Sequence, residues 1–194
     1  MIDQSTIRKR IQTERQQLKK DQQALFSQAI CQQIIDSGVL NNANNIAFYL
    51  PVRGEADPTY LQQAESLLDK QFYLPVLSST HQNHLVFALY NEQTPMKFNR
   101  FNIPEPDTDT ATLLTDPQQL DAVIMPMVAI DRAGNRIGMG GGFYDRTFAF
   151  RKTKQCQPQL IAFAYDLQLI EEQTPQAWDV PTDAIALQTE FIQL

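Results

Sequence analysis

The sequence predicts an α/β fold: a single domain over residues 1–194, with a mostly parallel central sheet flanked by helices and preceded by N-terminal helices. Three observations point there. Apolar residues recur at helical spacing as far as Gly38. From residue 46 they gather instead into short runs rich in aliphatic and aromatic side chains. A polar, helix-length segment separates the first two of these runs, the spacing of a strand–helix–strand unit with parallel strands and a right-handed crossover.

The opening helix carries Ile7, Ile11 and Leu18 on one stripe, with Arg8 and Arg15 sharing a flank. A second helix begins at Asp21, with Leu25, Phe26, Ala29, Ile30 and Ile34 as its apolar face, and Gly38 is placed to end it. The runs IAFYLP, FYLPVL, HLVFALY, AVIMPMVAI and LIAFAY read as strands. Between the first two, DPTYLQQAESLLDK reads as a helix with Asp57 as N-cap and Pro58 at its first position. Residues 91–117 are polar and proline-rich, too long for an ordinary connection, and are expected to cover a site or to be mobile. No repeat or linker divides the chain.

With 43% hydrophobic residues the chain can bury a substantial core, and its net charge of −6 argues against a nucleic-acid surface. No apolar stretch approaches the ~20 residues of a membrane span. The opening residues have no apolar signal region. A cytoplasmic monomer without membrane partners is expected, with Cys31 and Cys156 as reduced thiols. His81 and His84 have no helix to align them and are not read as metal ligands. Trp178 suits either packing or stacking on an adenine ring.

The most informative stretch is RIGMGGGFYDR. It follows the apolar run AVIMPMVAI and a turn, DRAGN, with Asp131 and Gly134 at the ends of a type I turn. Gly138, Gly140, Gly141 and Gly142 allow close backbone approach, and FYDRTFAFRK has the spacing to begin a helix. Converging amides at such a loop suit phosphate. The pattern is neither a Walker A motif nor Gly-x-Gly-x-x-Gly, because Phe143 occupies the third glycine position of the latter. Asp145 reads as an acid favourable to a helix dipole, or as a magnesium ligand that reconciles a carboxylate with nearby phosphates. Arg136 and Arg146 read as phosphate partners or as surface ion pairs.

PMVAIDRAGNRIGMGGGFYDR resembles the signature of the 5-formyltetrahydrofolate cyclo-ligase family. AFYLPVRGEAD, FNIPEP, QAWDVPTDAIALQTEF and the opening IRKRIQTERQQL are similar to the family's first strand, covering segment, C-terminal acidic element and basic helix, in that order. The resemblance implies an enzyme that cyclises 5-formyltetrahydrofolate to 5,10-methenyltetrahydrofolate, using ATP and Mg2+ and releasing ADP and phosphate through a phosphorylated formyl group. It implies that Arg136, Ile137, Gly138, Met139, Gly140, Gly141, Gly142, Phe143 and Tyr144 form the ATP site, joined by Arg8. Leu50 and Glu55 would bind the folate head, Phe143 and Tyr144 would lie where the substrates meet, and Asp145 with Asp179 would hold the metal.

Each residue also has a plainer reading. Glu55 is a solvated turn residue, Phe143 and Tyr144 are core, and Asp179 is a loop acid. Family members often carry lysine where this chain has Gln4, and many carry a basic residue where it has Met139 and Gly141. Two other functions compete. A sugar-phosphate isomerase-like enzyme would use Glu55 or Asp179 as base; a non-catalytic folate- or nucleotide-binding module would bind both ligands without turnover.

Overall fold

The structure is a computed structural model and describes residues 3–153 and 157–194. Cys156 lies outside the described residues; Cys31 is buried, and burial pushes its thiol up to about 12. Helix α1 (Gln4–Gln17) starts at Asp3, whose carboxylate accepts from the Ser5 amide at 3.1 Å. It buries Ile7 and Ile11 together with Arg15. Helix α2 (Lys20–Ser37) ends at Gly38, with φ 69°. Its buried face is Ser27, Ile30, Cys31 and Ile34, whereas Leu25, expected in the apolar face, is exposed. Ser27 displaces it because its hydroxyl is satisfied inside, donating to the Gln23 carbonyl at 2.6 Å and accepting from the Asp57 amide at 2.9 Å.

The strands are β1 (Asn45–Ala47), β2 (Gln71–Leu77), β3 (Leu85–Leu89), β4 (Met96–Phe98), β5 (Pro104–Pro106), β6 (Leu113–Leu114), β7 (Ala122–Met125), β8 (Ala129–Ile130), β9 (Arg136–Ile137), β10 (Gln159–Phe163), β11 (Ala184–Ala186) and β12 (Phe191–Gln193). The main sheet has the order β12-β11-β10-β7-β1-β2-β3-β6. Strands β11, β10, β7, β1 and β2 run parallel, and β12, β3 and β6 close the edges antiparallel. Period-two alternation divides the core between two faces. Ile46, Phe72, Leu74, Ile124, Ile161 and Phe163 pack with α2 on one. Ala47, Tyr73, Val123, Met125, Leu160 and Ala162 face the other, where Phe148 covers them.

Two expected elements differ. The segment after Asp57 forms two 3₁₀ turns, Pro58–Gln63 and Glu65–Leu67, rather than an α-helix. Its inward residues are Pro58, Leu61, Ala64 and Leu67, spaced by three, which is the 3₁₀ period. The apolar run at 122–130 is two strands in different sheets. Pro126 has no N–H to donate, so the ladder stops at Met125, and β8 pairs instead with β9. The proline-rich segment forms a hairpin of β4 and β5 and then the edge strand β6.

Among the described residues, no helix is long and apolar enough to cross a membrane. The chain runs outward from β1 to β2, β3 and β6 on one side and returns to β7 on the other. In open α/β sheets ligands bind where the order reverses, beyond the carboxyl ends of the strands. Here that is the space beyond Ala47 and Met125.

Candidate active site

A cavity of about 680 Å³ occupies that space. Tyr49 and Leu50 enter it from the end of β1, Leu74 and Pro75 from β2, and Pro126 and Met127 from the end of β7. β2 outruns β1, whose register with it ends at Ala47–Tyr73, so Pro75 lines the cavity without depriving β1 of a partner. The hairpin supplies Asn99, Phe101 and Ile103 from its tip and Glu105 from β5 as a cover, and the rings of Phe101 and Phe143 meet edge to face at 5.8 Å. Apart from Arg146, which is not in the lining, every residue marked in the sequence as a site candidate lines this one space. These are Arg8, Leu50, Glu55, residues 136–144, Asp145 and Asp179.

The glycine loop links β9 to α3 (Phe143–Thr147). Gly140 and Gly142 sit at φ 94° and 63°, a region costly for residues with a Cβ. The loop's two kinds of backbone group are used differently. The Gly138 carbonyl accepts from Arg8 Nε at 2.7 Å, and the Gly141 carbonyl from an Arg146 guanidinium nitrogen at 2.7 Å. None of the amides of residues 138–142 donates to an acceptor among the described residues. Five unspent N–H groups in one cavity wall are what an anion site requires. α3 is only five residues long, so its dipole contributes less than the sequence suggests and the loop amides carry the site.

Arg136 lines the cavity but is not a surface residue, and part of its guanidinium is already engaged. Its side chain is 5% exposed and pairs with Asp145 at 2.6 Å; it also donates to the Val180 carbonyl. Burial draws its pKa below the usual arginine range, with Asp145 and Asp179 opposing that shift. Asp145 Oδ1 accepts from the Val180 amide as well, at 3.2 Å. Asp179 Oδ2 accepts from the Gln176 amide at 2.8 Å. The second oxygen of each acid has no hydrogen-bond partner among the described residues.

Glu55 is no solvated turn residue. Its side chain is 9% exposed, 3.7 Å from Arg15, and Oε2 accepts from the Val52 amide at 3.1 Å. Burial raises its pKa above the ordinary glutamate value, while Arg15 pulls the other way. Phe143 and Tyr144 line the cavity and also pack against the core cluster below. Burial and the Glu55 charge raise the Tyr144 pKa. Trp178 is 66% exposed at the cavity's edge and does not pack in the core.

The sequence model of the 5-formyltetrahydrofolate cyclo-ligase family matches residues 1–188. The chain belongs to this family. It is 38% identical over 175 residues to the 5-formyltetrahydrofolate cyclo-ligase of Haemophilus influenzae, covering 90% of this chain and 92% of that one. The Escherichia coli cyclo-ligase is 34% identical, covering 90% and 94%. Among solved structures, the NMR structure of Aquifex aeolicus 5,10-methenyltetrahydrofolate synthetase superposes with TM-score 0.80 at 25% identity, covering 98% of this chain and 92% of that one.

Several groups in this cavity, or buried behind it, have partners that the sequence does not display. Arg15 was legible only as a flank-mate of Arg8. Gln4, which stands where the cyclo-ligase family often has lysine, accepts from Arg8 at 3.0 Å and so orients its guanidinium. Glu105 and Asn99 gave a faint signal: an acid enclosed by prolines in PEP, inside a segment expected only to cover.

Proposed function

We propose that the protein cyclises 5-formyltetrahydrofolate to 5,10-methenyltetrahydrofolate, consuming ATP and releasing ADP and phosphate. The observation that carries this reading is the row of undonated amides at 138–142, opening onto the same cavity as the apolar wall of Leu50 and Leu74. A triphosphate and a flat heterocycle can meet there. The family named above supports the folate half of the reading.

A formyl oxygen on an amide-like nitrogen is a poor leaving group, so it is first made into a phosphate ester. It attacks the γ-phosphorus of ATP; the new O–P bond forms as the bond to ADP breaks. N10 of the folate then attacks the activated carbon and loses its proton to water. That attack closes the ring, and the C–O bond to phosphate breaks last, releasing phosphate and leaving the methenyl cation. The chain positions both substrates and stabilises charge rather than forming covalent bonds. The loop amides and Arg8 hold the phosphates, Glu55 and Leu50 hold the folate head, and Phe143 and Tyr144 separate the cavity from the core where the substrates join.

The donor chemistry fits a magnesium ion. Magnesium takes one or two carboxylates and completes its shell with water and phosphate, and Asp145 and Asp179 each keep one oxygen unpartnered on this cavity. When bound, the ion would screen these carboxylates from the phosphates. Arg136 holds Asp145 in place through the 2.6 Å ion pair.

The test is formation of the methenyl product by purified protein, followed by absorbance, with ATP or magnesium left out in turn. Product only when both are present is expected. Well-folded protein that yields none, or yields it without nucleotide, would contradict the reading.

A further inference from the structure

Glu105 is 7% exposed on the covering hairpin, and one of its carboxylate oxygens is fully engaged. Oε2 accepts from the Leu77 amide at 3.3 Å and from Asn99 Nδ2 at 3.0 Å. Asn99 is itself fixed, because its Oδ1 accepts from the amides of Phe101 and Ile103 at 2.9 and 3.2 Å. Among the described residues, Oε1 has no partner and no cation pairs with the carboxylate. The nearby Lys97 is tied to Asp107 at 2.9 Å. Glu105 forms part of the wall between the main cavity and a smaller one of about 310 Å³. Oε1 is open to the cavity rather than sealed in the core, so a ligand donor can reach this oriented acceptor, which has no counter-charge among the described residues to compete for it.

A carboxylate can only accept, so it repels phosphate and disfavours any ring edge where a donor adjoins an acceptor, as on adenine. A 2-amino-4-oxopteridine offers the complement, since its 2-amino group and N3–H are neighbouring donors on one edge. We propose that Glu105 Oε1 accepts from this 2-amino–N3 edge of the folate and makes the cavity selective for 2-aminopteridines. This rests on the folate reading above. Glu55, the other acid on the folate side, already has a cation facing Oε1 at 3.7 Å and the Val52 amide on Oε2, so its charge is matched within the protein where that of Glu105 is not. The hairpin thus reads the substrate as well as covering it.

The experiment titrates 5-formyltetrahydrofolate and its 2-desamino analogue into wild-type protein, Glu105→Gln and Glu105→Asp, with turnover measured separately. Gln keeps an oxygen for Leu77 and Asn99 but turns an amide NH2 toward the ligand. Wild type is expected to prefer the parent folate at least about tenfold, as for a hydrogen bond to a charged group. Glu105→Gln should shrink that preference to about twofold or less, and Glu105→Asp, with its carboxylate withdrawn, should shrink it too. ATP affinity should stay within about threefold in both. Absence of a preference in wild type, or weakening of both folates alike in the variants, overturns the assignment and leaves Glu105 as a structural part of the hairpin. A wild-type preference without turnover would sink the proposed reaction and leave the role of Glu105 standing.

Discussion

Arg15 and Glu55 face each other 3.7 Å apart with side chains 1% and 9% exposed, joining the first helix to the loop after β1. Arg15 has no other carboxylate partner among the described residues, its Nε makes no hydrogen bond, and one of its terminal nitrogens reaches the Met127 carbonyl at 3.4 Å. Burial raises the Glu55 pKa above 4.5, so the folded state binds its proton more tightly than the unfolded state. Its contribution to stability is therefore greatest in acid and is lost as the pH rises through the folded value. Tyr49, Tyr144 and Tyr165 also face the group, and Arg53 adds a weaker attraction. Arg15→Met removes the main opposing charge. It should cost about 3–5 kcal/mol near neutral pH, and less at about pH 5. Adding Glu55→Gln should restore about half of the loss or more. Urea unfolding of the single and double variants at both pH values measures this. A penalty that ignores pH and survives the second substitution would refute the coupling.

Gly138 separates a folding role from a binding role. Its φ is not in the left-handed region, and a Cβ there would meet nothing within 4 Å. Gly138→Ala should therefore leave the melting temperature within about 2 °C of wild type. That methyl group would stand where phosphate must approach, so KM for ATP should rise about tenfold or more. Gly142→Ala should instead destabilise the protein, because its φ is 63°, a backbone strain that remains even if the flexible Arg146 guanidinium swings away from the new methyl group. Thermal melts set beside ATP titrations check both. An unchanged KM in Gly138→Ala would place the phosphates elsewhere.

On the proposed reading Asp145 has two jobs. Were it only a metal ligand, Asp145→Asn would leave stability untouched, but the carboxylate also neutralises Arg136, whose side chain is 5% exposed. Asn can still accept from Arg136 and Val180, and Asp179 remains nearby, so the loss should be about 1–3 kcal/mol. Turnover should fall at least about 100-fold. Denaturant melts and steady-state rates at several magnesium concentrations decide the matter. Turnover equal to wild type would remove Asp145 from the machinery.

The sheet was readable because each central strand is apolar on both faces, as at Ala122, Val123, Ile124 and Met125. The site was readable because glycines at Gly140 and Gly142 answer a backbone need visible in sequence. What hid was tertiary. The segment after Asp57 has apolar residues that suit either an α-helical or a 3₁₀ stripe, and only the core beneath chooses between Pro58–Leu61–Ala64–Leu67 and its rivals. Leu25 was lost to Ser27 through a hydrogen bond to Asp57, thirty positions away. That Arg136 pairs with Asp145, nine positions on, was likewise set by the fold rather than by local sequence. Glu105 carries no local mark beyond two prolines; its burial is made by Leu77 and Asn99.

The most direct test of the central claim is a crystal structure with a non-hydrolysable ATP analogue and magnesium. The triphosphate should lie against the amides of residues 138–142, within reach of Arg8, with the cation at Asp145. A triphosphate seated elsewhere, with those five amides still unbonded to it, would contradict the account.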